Sequence, residues 1–132
     1  MTAKKEKTRD IILSIKPLYW ERIVKGEKQY EYRRRLASKS VDRIFFYVTA
    51  PIKKVMGFTQ VLFELSDTPD SLWERTEHAS GISRQNYNCY FYGCDRCHAY
   101  GLGAIAVFEN PKELSEFGLK RAPQSFAYVK EE

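Results

Sequence analysis

The chain has 132 residues, a formal net charge of +5, 43% hydrophobic residues and 14% aromatics. Nine tyrosines and eight phenylalanines exclude a disordered tail, and the length is that of one domain able to bury a core without disulfides or metal. No apolar run approaches the roughly 20 residues of a membrane-spanning helix, and the charged start, Met1 to Lys7, has no hydrophobic segment behind it. The expectation is a soluble, cytoplasmic protein, with a monomer favoured.

Residues 1–10 are polar and are read as a flexible tail, with a single domain from 11 to 132. Asp10 to Ile15 alternates weakly and reads as a first strand. Pro17 suits the first turn of a helix and Gly26 its C′ position. Tyr19, Trp20, Ile23 and Val24 give that helix one apolar face, with Trp20 aligned for the core and Tyr19 available for stacking. Gln29 to Arg35 reads as a strand with Tyr30 and Tyr32 on one side and Glu31, Arg33 and Arg35 on the other. Arg43 to Thr49 is apolar on both parities, as a central buried strand requires. Lys53 to Leu65 is a long strand in which Gly57 marks a bend or bulge.

Two helices follow. Thr68 caps one running to about Ala79 that buries Leu72 and Trp73; Ser83 caps another running to about Phe91. Leu102 to Glu109 reads as a second buried strand, Lys112 to Glu116 as a helical turn stopped by Gly118, and Ser125 to Val129 as the closing strand. These elements predict an α+β domain on a small barrel.

Charge is uneven. Residues 16–35 carry seven basic and three acidic side chains, whereas 66–80 carry four acidic and one basic. The expectation is a polarised molecule whose positive end holds Lys28, suited to a polyanion. Lys28 follows a helix end, beside Glu31 and Arg33. A lysine there can contact a phosphate, act as a nucleophile if burial or neighbouring cations lower its pKa, or form an ion pair with Glu31. Arg33 can offer its planar fork to a phosphate or base edge with Glu31 holding its orientation, or serve only as a cross-strand pair; Arg34 and Arg35 extend the basic patch. Glu74 and Glu77 read as surface helix residues.

Cys94, Cys97 and His98 have the spacing of haem attachment, and Cys89 adds a fourth candidate ligand for zinc. Adjacent Cys97 and His98 rarely converge on one ion. The segment is read as a loop with free thiols, and no metal or cofactor is expected.

The pattern Gly26, Lys28, Glu31, Arg33 after the first helix resembles the Gly-x-Lys-x-x-Glu-x-Arg signature of ASCH domains, members of the PUA-like superfamily. Residues 47–57, 71–83 and 119–129 also follow in the order of one small branch, so the resemblance spans about 11–129. It implies a PUA-like β-barrel of five to six mixed strands with helices covering one opening. It also implies a cleft lined by the signature residues, to which Gln124 and Ser125 return. The implied function is binding of RNA or a nucleotide through this basic cleft, in RNA processing or translation-linked regulation. The alternative is a small hydrolase, an amidohydrolase on acetylated cytidine or a ribonuclease, using Lys28 and Glu31 as catalytic groups. The amidohydrolase branch has a threonine where this chain has Glu31. The candidate binding residues are Lys16, Tyr19, Lys28, Glu31, Arg33, Arg35, Gln124 and Ser125, with RNA or a nucleoside-type ligand as partner and no membrane.

Overall fold

A computed structural model describes residues 8–130. Its elements are β1 (Arg9–Ile15), α1 (Pro17–Val24), β2 (Tyr30–Arg33), β3 (Val41–Val48), β4 (Lys54–Asp67), α2 (Pro69–Thr76) with a 3-10 turn at Glu77–Ala79, α3 (Arg84–Tyr90), β5 (Cys97–Lys112), a 3-10 turn at Leu114–Phe117, and β6 (Phe126–Tyr128). Six strands form one mixed sheet in the order β2-β5-β4-β3-β1-β6. The β1–β3 pair is parallel and the others are antiparallel. The sheet curls into a half-barrel whose two edges are β2 and β6, the small-barrel architecture expected from the sequence.

β3 explains the layering. Its apolar residues occur on both parities, so both faces are covered. Ile44, Phe46 and Val48 pack with Ile11, Leu13, Trp20 and Tyr100. Phe45 and Tyr47 pack on the other side with Ile12, Val55 and Phe117. A third cluster holds α2 and α3 against the sheet through Leu72, Trp73, Tyr87 and Phe91, which meet Tyr32, Cys97 and Ala99. β4 changes register at Met56, beside Gly57. A Cβ on Gly57 would lie 2.3 Å from the Ala106 carbonyl and 2.9 Å from the Trp20 ring, so only glycine lets the strands and α1 close up there.

Several boundaries differ from expectation. β1 begins at Arg9, so Arg9 and Asp10 belong to the sheet and not to the tail drawn to residue 10; Asp10 Oδ2 pairs with Arg43 Nη2 at 2.6 Å. Residues 1–7 of that tail lie outside the described residues. β2 stops at Arg33, leaving Arg35 beyond it. Trp20 and Ile23 are the buried face of α1, while Val24 is exposed. β5 starts at Cys97, not Leu102, and its buried part is the early one; from Gly103 onward it is half-buried or exposed. Small residues hid that start: the Phe63 ring fills the place of a side chain at Gly101, where a Cβ would be 2.4 Å away.

The cysteine segment is therefore not all loop. Cys97 is buried in the helical cluster, and burial pushes its thiol up to about 11, far from a thiolate. His98 accepts or donates at Nδ1 to Ser66 Oγ at 2.7 Å, and Cys89 is exposed on α3. Among the described residues no group of three or more His, Cys, Asp or Glu is placed to hold a metal ion.

Candidate functional site

The end of α1 builds the site. Lys25 caps the helix and Gly26 turns the chain at φ +80°. Lys28 N–H then donates to the Arg22 carbonyl at 3.1 Å, and Gln29 N–H to the Ala79 carbonyl at 2.9 Å. Arg22 Nη1 donates to the Gly81 carbonyl at 2.8 Å, and Lys28 forms an isolated bridge with Ser80. The acidic segment is thus packed beside the Lys28 segment. The contacts are made by Ala79, Ser80 and Gly81, whose backbone carbonyls face this cation-bearing loop.

Lys28 is only 5% exposed. Its Nζ donates to the carbonyls of Tyr30 at 2.7 Å and Ser80 at 3.4 Å. The amine also sits 5.0 Å from the Tyr32 ring centre and 5.9 Å from that of Tyr19. Burial holds the Lys28 pKa below the ordinary lysine value; the Glu31 charge opposes this and Arg22 adds to it. The cation that acts on the amine is Arg22, from α1, and not the sequence neighbour Arg33.

Lys28, Glu31 and Arg33 line one cavity of about 420 Å³, together with Lys16, Tyr19 and Tyr90. Glu31 and Arg33 share one side of β2, as alternate strand residues do, and the intervening Tyr32 also borders the cavity. Arg33 Nη1 lies 3.7 Å from Glu31 Oε2. Arg33 Nη2 donates to Ser125 Oγ, and the guanidinium stands 5.9 Å from the Phe126 ring. Arg33 thereby reaches from one sheet edge, β2, to the start of the other, β6. Ser14 Oγ fixes the same segment by donating to the Pro123 carbonyl at 2.7 Å. Behind Lys28, a second and largely apolar groove of about 400 Å³ runs along Ile23, Val24, Leu62, Leu102 and Ile105, and Lys28 borders it too.

The residues singled out from sequence divide clearly. Lys16, Tyr19, Lys28, Glu31 and Arg33 border the cavity, and Ser125 joins it through Arg33. Gln124 and Arg35 are exposed and do not border it. Glu74 and Glu77 are exposed on the α2 side, and Trp20 is in the core, 5.7 Å from Phe46. Sequence reasoning missed Ser14, Tyr32, Asn86 and Tyr90, which also line the cavity. Asn86 and Tyr90 are one helical turn apart on α3, but nothing local sets that turn opposite β2. Burial raises the Tyr90 pKa and pushes the Tyr32 phenol up to about 12; the Tyr32 hydroxyl donates to Thr76 Oγ1 at 2.6 Å.

No family model matches the chain. It is 29% identical over 128 residues to the ASCH domain-containing ribonuclease of Zymomonas mobilis, covering 94% of this chain and 86% of that protein. The crystal structure of ASCH from Zymomonas mobilis superposes with a TM-score of 0.82 at 28% identity, over 92% of this chain and 88% of that one. The chain is similar to ASCH domains in both sequence and fold. Its fold is accordingly PUA-like, a half-barrel with three helices. It is also 30% identical over 128 residues to large ribosomal subunit protein uL22 of Ureaplasma parvum serovar 3, of which it spans 41%. Among the described residues no helix is long and apolar enough to cross a membrane.

Proposed function

We propose that this ASCH-like domain binds single-stranded RNA with one nucleotide in the Lys28 cavity and cuts the strand there. The convergence of a buried amine, a carboxylate and an arginine on one cavity carries this reading. A volume of about 420 Å³ lies in the range of small-ligand pockets, roughly 300–1,000 Å³. The name of the Zymomonas mobilis relative, a ribonuclease, supports the same reaction class.

The chemistry needs no group beyond those present and the RNA itself. The ribose 2′-hydroxyl attacks the adjacent phosphorus while Glu31 takes its proton. The bond from phosphorus to the 5′-oxygen breaks, and the proton that Glu31 took passes through solvent to that oxygen, giving a 2′,3′-cyclic phosphate and a 5′-hydroxyl and restoring the carboxylate. Arg33, held by Ser125, offers two N–H groups to the non-bridging oxygens, where charge builds in the transition state. Lys28 supplies positive charge beside Glu31 and positions β2 through its Tyr30 bond.

A second reading, binding without turnover, is favoured by the engagement of the Lys28 amine with two carbonyls. That engagement also weighs against Lys28 as a nucleophile on acetylated cytidine, which would need a free lone pair reaching the substrate. The test is a denaturing gel and a binding titration with one fluorescent single-stranded RNA. Cleavage to a cyclic phosphate is expected, lost in Glu31→Gln with binding kept, and Arg33→Met should weaken both. RNA that stays both unbound and intact would overturn the proposal; bound but intact RNA would select the second reading.

A further inference from the structure

Two tyrosines flank the C-terminal end of α3. Tyr90 borders the Lys28 cavity. Tyr92, two residues on, is 84% exposed, more than any other large hydrophobic side chain among the described residues. A ring left in water contributes almost nothing to folding through burial. The turn that carries it is nonetheless tied down. Arg34 Nη1 donates to the Tyr90 carbonyl at 2.8 Å and to the Tyr92 carbonyl at 3.3 Å. Cys94 N–H donates to the Phe91 carbonyl at 2.9 Å, closing the turn from the other side. Arg34 directly follows Arg33, so the strand that presents Arg33 to the cavity also anchors the Tyr92 turn.

The surroundings are cationic. Arg35 is exposed past the end of β2, and Arg96 is exposed just before β5. Arg33 and His98 are the last pair of the β2–β5 ladder, and Arg35 and Arg96 each lie two residues beyond it on their own segments. Asp95 is the acidic residue of this corner. An exposed ring on a held turn, with arginines around it, has the composition of a stacking platform for single-stranded nucleic acid. Tyr90 and Tyr92 are at most about 7 Å apart along the backbone, within reach of one nucleotide step.

The geometry points to a second nucleotide subsite on Tyr92, outside the cavity, where the base adjoining the inserted nucleotide stacks while its phosphate faces Arg35 and Arg96. The ligand class is then a single-stranded polynucleotide and not a free nucleoside. This inference rests on the RNA reading of the Lys28 cavity and extends it beyond that cavity.

The experiment compares two probes, a 2′-O-methyl uridylate hexamer that cannot be cleaved and uridine 3′-monophosphate, on the full chain and on Tyr92→Ala, Tyr92→Phe and Arg33→Met. Tyr92→Ala should bind the hexamer roughly 5- to 100-fold more weakly and leave the mononucleotide unchanged. Tyr92→Phe, which keeps the ring, should match the parent. Arg33→Met should weaken both probes. Hexamer affinity unchanged in Tyr92→Ala, or lost equally in Tyr92→Phe, overturns the stacking subsite while leaving the cavity reading intact. Equal loss of both probes in Tyr92→Ala also overturns it, since the ring would then serve the cavity itself. A parent chain that binds neither probe overturns the cavity reading and this inference with it.

Discussion

Gly81 packs its bare α-carbon against the stem of Lys28, so that a Cβ at Gly81 would stand 2.3 Å from Lys28 Cβ and 2.7 Å from its Cγ. The glycine also sits at φ +67°, where an L-side chain costs roughly 1–2 kcal/mol. Gly81→Ala should therefore lower the melting temperature and shift the Lys28 amine from its carbonyl partners. Thermal unfolding and the RNA assay together check this. Parent-like melting with parent-like activity would mean that the loop yields freely and that Gly81 does not position the lysine.

The buried amine makes stability depend on alkaline pH. The Lys28 pKa is held below its ordinary value of 10.5 by burial, so between the two values the unfolded chain binds more protons than the folded one. The contribution of Lys28 to stability is present above 10.5 and is lost as pH falls through its folded pKa. Measured against Lys28→Met, the parent should gain stability as pH rises through this window. Denaturant unfolding of both chains at several alkaline pH values reads the difference; a constant gap would show that the amine is not desolvated.

The hydroxyl of Tyr32 donates to Thr76 Oγ1 at 2.6 Å, and Thr76 in turn donates to the Leu72 carbonyl at 2.8 Å. Tyr32→Phe removes one buried hydrogen bond and should cost about 1 kcal/mol. The ring that faces Lys28 remains, so RNA binding should persist. A shifted denaturant midpoint with unchanged affinity is the expected pair of results.

Arg33 offers a charge whose effect on binding can be counted. If it meets one phosphate, Arg33→Met should flatten the log–log salt dependence of RNA affinity by about 0.7. An unchanged slope with weaker binding would assign Arg33 to holding Ser125 and β6 in place.

Much of this architecture is legible from the chain alone, and the reasons are local. Pro17 and Gly26 bracket α1, Thr68 and Ser83 cap α2 and α3 through their side chains, and the two-sided apolar run in β3 marks a covered strand. The period of two in β2 puts Glu31 and Arg33 on one side. What escaped was set by distant partners. Gly101 and Ala99 give no strand signal, because their lack of bulk is matched to Phe63 and to the helical cluster. Tyr90 and Asn86 reach the cavity only because Leu72, Trp73, Tyr87 and Phe91 seat the helices over β2 and β5. Gln124 was chosen with Ser125, yet both lie in the bend before β6, and the Arg33 bond is made to the serine.

The lysine stem has a role that its charge conceals. It borders the polar cavity on one side and the apolar groove of Ile23, Leu62 and Leu102 on the other. Shortening it, as in Lys28→Gly, would remove the side chain that both hollows share as a wall. A small alkylamine dissolved in the buffer could then enter from the rear and sit where the native ammonium was, restoring by diffusion what the mutation took from the chain.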